Sequence, residues 1–292
     1  MTVTDRSSDE LWVCNLGTVA YLDALAIQER VRERRLAGEL PDTLLLLEHP
    51  PVYTRGRRSS PSEMPLGEDF YRAQGIDVIA TDRGGKLTYH GPGQLVGYPI
   101  MAITDVGRYL RTMEDAIIAA LDAEGVRARS RHDEGIDYTG VWVASPPGTH
   151  PLGTHPEGHG QAGERKIASI GVHVSRGVTT HGFAVNVAND LEPFASVVAC
   201  GLPDVTMTSI ATEHRVAGTS DTTDCKQALA CFRKRMAHSF AGAHSRRQRL
   251  VTPQRLGIDT TNAARRATER APINPDQPAP ACTSTRPEAV PA

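Results

Sequence analysis

Three stretches of this chain hold side chains of the kind that can do covalent chemistry. In "ASVVACGLPDVTMTSI", Cys200 follows an apolar run and directly precedes Gly201. Such a glycine can form the turn that presents a thiol, and the N–H groups nearby can polarise a carbonyl. On its own, though, Cys200 reads first as a buried packing cysteine, the usual state of a free thiol. In "GERKIASIGVHV", Lys166 opens a strand and is followed by the small residues Ala168, Ser169 and Gly171. A lysine at a strand edge is normally just solvated. Beside a cysteine it can serve as base or ion-pair partner, provided burial brings its pKa from about 10.4 toward that of a thiol, about 8.5.

The third stretch, "RGGKLTYHGPGQLVGYPI" (83–100), sets five glycines around one histidine, His90. A loop so lean in side chains can wrap a ligand or an oxyanion. A hairpin with turn glycines and a half-buried histidine accounts for the same spacing equally well. It is not a phosphate loop, because neither GxxxxGK[ST] nor GxGxxG occurs. His150, His155 and His159 lack any partner at zinc-ligand spacing and read as solvated. The five cysteines are odd in number and form no CxxC, which argues against a disulfide framework or a cysteine metal site. Cys225 and Cys231 read as packing residues on a helix, and Cys14 and Cys282 carry no signal.

The elements that must position these groups alternate in type. Helices are expected over 18–38, over 105–126 with Asp105 as cap and Gly125 as stop, and over 222–240. Strands are expected at 43–49, 76–82, 94–100, 139–144, 166–174 and 181–187. Leu22, Leu25 and Val31 are among the apolar positions of the first helix; Val106, Leu110, Met113, Ile117 and Leu121 form the stripe of the second. Few helices among clustered strands imply an α/β or α+β fold with a mixed sheet. The folded part is expected to span 11–243, with a flexible Gly/Pro/His insert at 145–164 and a mostly disordered tail at 244–292. The net charge of −2 gives no global field for nucleic acid or anionic lipid, and no apolar run approaches a membrane span. The polar N-terminus has no signal-peptide core, so a cytoplasmic location is expected.

Taken in order, the motifs resemble those of the lipoyl(octanoyl) transferase family. "LLLLEHPPVYTRGR" resembles its early signature, and "RGGKLTYHGPGQLVGYPI" its substrate loop. "GVWV", "RKIASIGVHVSRGVTTHGFAVNV" and "ACGLPDVTMTSI" are similar to its later blocks. The resemblance covers about 11–240. It implies the fold shared by biotin and lipoate protein ligases, a mixed α/β domain around an acyl tunnel. It also implies transfer of an octanoyl group from octanoyl-acyl carrier protein to a lysine of a lipoyl domain, in 2-oxoacid dehydrogenase complexes and the glycine cleavage H protein. On this resemblance Cys200 and Lys166 are the catalytic pair. Substrate-binding residues would be Arg83, Gly84, Gly85, Lys86, Leu87, Thr88, Tyr89 and His90, with Ser169, Ile170 and Gly171, and Gly182, Phe183 and Ala184. The insert before Lys166 and the tail exceed the family pattern.

The implied chemistry needs no ATP, metal or other cofactor. Cys200 takes the acyl group from one thioester and gives it to an amine, with Lys166 moving the protons. His90 and Thr88 would orient the carbonyl or the loop, and the loop glycines would let the chain pass close to the acyl group. Arg55, Arg57, Arg58, Arg34 and Arg35 are candidates for a patch facing an acidic carrier. An ATP-dependent lipoate or biotin ligase, for which Cys200 would be dispensable, and a non-catalytic carrier-binding module are the other readings.

Overall fold

The computed structural model describes residues 9–144, 164–202, 205–219 and 225–259. The strands are β1 (Glu10–Thr18), β2 (Thr43–Glu48), β3 (Val52–Arg55), β4 (Asp77–Ala80), β5 (Leu87–His90), β6 (Gln94–Ile100), β7 (Ala128–Ser130), β8 (Gly140–Val143), β9 (Arg165–Ser175), β10 (Val178–Asn186), β11 (Thr206–Met207) and β12 (Arg247–Leu250). The helices are α1 (Tyr21–Leu36), α2 (Glu68–Ala73), α3 (Val106–Asp122), α4 (Glu192–Ala195), α5 (Ile210–Val216) and α6 (Cys225–Ala243).

Among the described residues, nine strands form one mixed sheet in the order β12-β1-β2-β6-β10-β9-β8-β7, with β11 on the start of β9. The run of four leucines in β2 explains its central place. Leu44 and Leu46 pack with α3 and α6 on one face; Leu45 and Leu47 pack with α1 on the other. A strand covered on both faces must be apolar at every position. Asp105 caps α3 by accepting from Arg108 N at 3.0 Å, as its sequence requires. A small sheet, β4-β3-β5, carries the glycine-rich loop and shares a third core with Phe194, Val197 and Ala199, just before Cys200.

The expected mixed α/β architecture is found, with differences in detail. Val31 is buried as expected, but Leu22 is exposed and Leu25 only half-buried, and α1 buries Tyr21, Ala24 and Ile27 beside Val31. On α3, Met113, Ile117 and Leu121 are buried, but Val106 is exposed and Leu110 lies beside a cavity. The ordered chain also runs past 243. β12 pairs in parallel with β1, and Leu256 and Ile258 are buried beside Trp12 and α1. A polar strand, "RQRL", gives no apolar period, so its pairing was invisible to pattern reading. Residues 145–163 of the insert and 260–292 of the tail lie outside the described residues, as do Cys282 and the three insert histidines. Among the described residues, no helix is long and apolar enough to cross a membrane.

Candidate active site

Lys166 and Cys200 meet. Lys166 is the second residue of β9 and only 2 % exposed, so its side chain lies inside the protein rather than in solvent. Its Nζ stands 3.4 Å from Cys200 Sγ and donates to Thr139 O at 3.1 Å. The Trp142 ring lies 5.0 Å from the same nitrogen. Ser169 Oγ is 3.8 Å from the sulfur.

This convergence depends on a bulge. Residues 166 and 169 are an odd number of positions apart, so a regular strand would point them to opposite faces. Across β8, Val141 pairs with Ala168 but Trp142 pairs with Lys166, leaving Ile167 extra. The extra residue turns Lys166 to the side of Ser169.

Cys200 is held from three directions. It sits in a 3-10 turn at Ala199–Gly201 with φ 57, a left-handed conformation that few non-glycine residues adopt. Glu63 braces the turn: its carbonyl accepts from Val198 N at 2.9 Å, and its carboxylate accepts from Leu87 N at 3.0 Å. Downstream, β11 pairs with Arg165 and Lys166, and Thr208 N donates to Lys166 O at 2.9 Å. The segment that follows Cys200 in the chain is therefore tied to Lys166 by backbone hydrogen bonds.

A cavity of about 300 Å³ opens beside the sulfur. All the expected acyl-segment residues line it except Tyr89, whose ring packs with Tyr53 and Phe194 in the third core. Arg83 is buried beneath the loop, donating to Thr54 O, Thr54 Oγ1 and Gly84 O. Gly84 N donates to Val172 O at 2.9 Å, which lays the loop against β9. A Cβ on Gly171 would stand 2.6 Å from Gly84 O, so only glycine permits this approach. Gly91 and Gly93 do not line the cavity. Gly91 lies against the Tyr89 ring, and Gly93 turns at positive φ against the Ala188–Asn189 backbone.

His90 is neutral and fully engaged. Gln94 Nε2 donates to Tyr89 O and to Asn186 Oδ1, so Gln94 Oε1 faces His90 Nδ1, at 2.8 Å, as acceptor. His90 therefore carries its proton on Nδ1. Burial, then His49 nearby, drives its pKa well below the ordinary imidazole value. Asn186 in turn donates to Thr208 O. His90 thus anchors a chain of amides that ends at the segment holding Lys166. Thr88 lines the cavity, and its Oγ1 is buried with no hydrogen-bond partner.

Sequence reasoning missed the far wall of the cavity. Tyr21, Tyr98 and His181 line it from α1, β6 and β10. Tyr98 OH donates to His49 Nε2 at 2.7 Å, because His49 Nδ1–H is given to Val19 O. His181 Nε2 donates to Asp82 at 2.7 Å, and Tyr21 OH reaches its Nδ1 at 3.5 Å. Single aromatic residues on three distant elements leave no local motif. The proposed basic patch is largely spent internally: Arg55 pairs with Glu68, Arg58 with Asp137, Arg34 with Glu39 and Arg35 with Asp42, while Arg57 is exposed. Lys86 stands 3.6 Å from Asp137 at the cavity's rim.

Comparison with known proteins identifies the fold and the family. An octanoyltransferase of Mycobacterium sp. (strain KMS) is 42% identical over 241 residues, covering 79% of this chain and 89% of its own. The octanoyltransferase of Mycobacterium ulcerans (strain Agy99) is 46% identical over 221 residues, covering 73% and 83%. In structure, a putative lipoate protein ligase from T. acidophilum with bound lipoic acid superposes with a TM-score of 0.58 at 18% identity, over 89% of this chain and 93% of that one. Lipoate-protein ligase A bound with ATP gives 0.57 at 16%, over 90% and 93%. The fold is thus that of the lipoate ligases, and residues 20–233 match the lipoyl protein ligase A/B catalytic domain, the family to which this chain belongs.

Proposed function

We propose that this protein is an octanoyltransferase whose reaction runs through an acyl-cysteine. It transfers an octanoyl group from an acyl carrier to a lipoyl-domain lysine in protein lipoylation. The carrying observation is the 3.4 Å contact of Lys166 Nζ with Cys200 Sγ at the wall of an acyl-sized cavity, in a chain 42–46% identical to octanoyltransferases.

Lys166 takes the thiol proton, and the thiolate of Cys200 attacks the carrier thioester. The tetrahedral intermediate collapses, the carrier thiolate leaves, and Lys166 returns a proton to it. The target lysine amine then attacks the S-octanoyl enzyme. Lys166 receives the amine's proton, the amide forms, and the Cys200 thiolate is released. Exchange between thioesters is nearly energy-neutral and amide formation is downhill, so ATP has no task. Thr88, a cavity-lining residue whose Oγ1 has no hydrogen-bond partner, would orient the acyl carbonyl or the loop in this reading. His90 sets the loop rather than moving protons. The finer partners of this reading are octanoyl-acyl carrier protein and the lipoyl domains of 2-oxoacid dehydrogenases and the H protein, acting in the cytoplasm. Residues 11–243, extended by β12, form the catalytic unit.

The test is intact-protein mass after mixing with octanoyl-acyl carrier protein without ATP. A hydroxylamine-labile gain of one octanoyl group in wild type, absent in Cys200→Ser, supports the reading. No adduct, with activity appearing only on ATP and free octanoate, would make the protein a ligase. Carrier binding without turnover under either condition would make it a binding module.

A further inference from the structure

Thr139 and Gly140 share one peptide group, and its two ends face two different ionisable side chains. The Thr139 carbonyl accepts from Lys166 Nζ at 3.1 Å. The Gly140 N–H donates to Glu114 Oε1 at 2.9 Å. Gly140 has φ 133, and a Cβ there would stand 2.5 Å from Ala168 O and 2.9 Å from Lys166 Cε. Only glycine lets this peptide lie against the lysine.

Glu114 has no packing reason to be where it is. It lies mid-helix in α3, 1% exposed, between Met113 and the Ala116–Ile117 face of the main core. Burying a carboxylate is costly unless it is partnered. Its partners are the Gly140 N–H, the Ser130 hydroxyl and, 4.0 Å from Oε2, His132 Nδ1 on the 3-10 turn His132–Glu134. His132 is half exposed and its Nδ1 lies 2.7 Å from Ser130 Oγ of β7, so it is a weak counter-ion. Asp115 is the other charged group acting on it. Burial raises the Glu114 pKa, and the Gly140 N–H offsets part of that rise.

We propose that Glu114 is a positioning residue for the Lys166–Cys200 pair, acting through the Thr139–Gly140 peptide. Pulling on the N–H of a peptide makes its carbonyl a better acceptor. That carbonyl fixes one Nζ hydrogen, favours the protonated lysine, and leaves another Nζ hydrogen aimed at Sγ. The inference rests on the assignment of Cys200 and Lys166 above.

The measurement is the pH dependence of Cys200 alkylation by iodoacetamide, read by peptide mass. Cys14 does not compete, being fully buried with its thiol pushed up to about 12. The variants are Glu114→Gln, Glu114→Leu, Glu114→Ala, Lys166→Met and the double variant Glu114→Leu/Lys166→Met, each with its Tm. Leucine fills the space without an acceptor, and alanine is the second variant should leucine not fold. Expected is a loss of about tenfold in rate at pH 7 and an upward midpoint for leucine or alanine, the size of one charge-assisted hydrogen bond. Glutamine keeps an acceptor oxygen and should stay within about threefold. The double variant should be no slower than Lys166→Met, since Glu114 acts only through the lysine. A wild-type profile in Glu114→Leu, or an undiminished loss on top of Lys166→Met, overturns the proposal. If Lys166→Met itself keeps the wild-type profile, the catalytic pairing falls first and this inference with it.

Discussion

Lys166 Nζ lies 3.4 Å from Cys200 Sγ although the two residues are 34 positions apart and the lysine is almost wholly buried. In the proposed reaction this buried lysine, with Thr139 O and Cys200 Sγ as its partners, exchanges a proton with the sulfur. Lys166→Met should therefore slow acyl-enzyme formation by about 10²–10⁴, the range for losing a general base. Cys200→Ser should abolish the labile adduct altogether. Rapid-quench mass spectrometry with octanoyl-acyl carrier protein measures both. A methionine variant acylating at the wild-type rate removes the lysine from the mechanism.

The cavity's length supplies a second expectation. Ser169 is beside the sulfur, and three residues along β9, Val172 pairs with His181 of β10. At about 3.3 Å per residue the strand advances ~10 Å. An extended eight-carbon chain, with bonds of about 1.5 Å, covers a similar distance. The wall it meets is Tyr21, Tyr98 and His181. Tyr21→Ala should deepen the tunnel and shift the preference toward decanoyl by about tenfold, since each buried methylene contributes about 0.8 kcal/mol. Competition between octanoyl and decanoyl carriers reads this directly, and an unchanged ratio would place the end of the chain elsewhere.

Gly171 tests the loop. A methyl there meets Gly84 O, a backbone atom with no side-chain freedom to retreat. Gly171→Ala should push the 83–85 loop off β9, breaking the Gly84 N to Val172 O bond, and destabilise the fold by about 1–3 kcal/mol. Acyl transfer should fall by more than the Cys200 alkylation rate does, because the thiol is untouched while the chain's roof has moved. Equal losses in both assays would mean a general loosening instead.

The glycine-rich loop and six of the twelve described strands are legible locally, in a glycine-rich run, a leucine run and other short apolar runs. Cys200 and Lys166 stand out only through the family resemblance, since their residue types alone read as a packing cysteine and a solvated lysine. The contacts that bring the two residues together are not local. The bulge at Ile167 that turns Lys166 toward Ser169 exists only against β8. Glu63 supports Leu87 and Val198 from a short turn with no apolar period. Tyr21 falls inside the expected first helix with no signal of its own, and its place in the cavity wall depends on how α1 docks on β6 and β10. Tyr89, by contrast, was grouped with the substrate loop because it lies inside the motif. Alternation along β5 sends its ring the other way, into the core between Tyr53 and Phe194.

The buried histidines make the fold acid-sensitive in a defined window. His49 is completely buried between Val19 O and Tyr98 OH, and burial lowers its pKa to about 4. Unfolded, it titrates near the ordinary value of about 6.5. Above that pH both states are neutral, and His49 does not alter stability with pH. As pH falls from about 6.5 toward 4, the unfolded chain takes up a proton that the folded one refuses, and stability is lost. The full loss is about 3 kcal/mol for His49. His90 adds to it in the same direction, burial lowering its pKa as well. Urea unfolding at pH 7.5 and 5 should show a lower midpoint at pH 5. His49→Gln, which keeps polar atoms but cannot titrate, should be less stable at pH 7.5 yet lose less between the two pH values. An identical pH slope in the glutamine variant would shift the acid sensitivity from His49 to His90 and the remaining buried histidines.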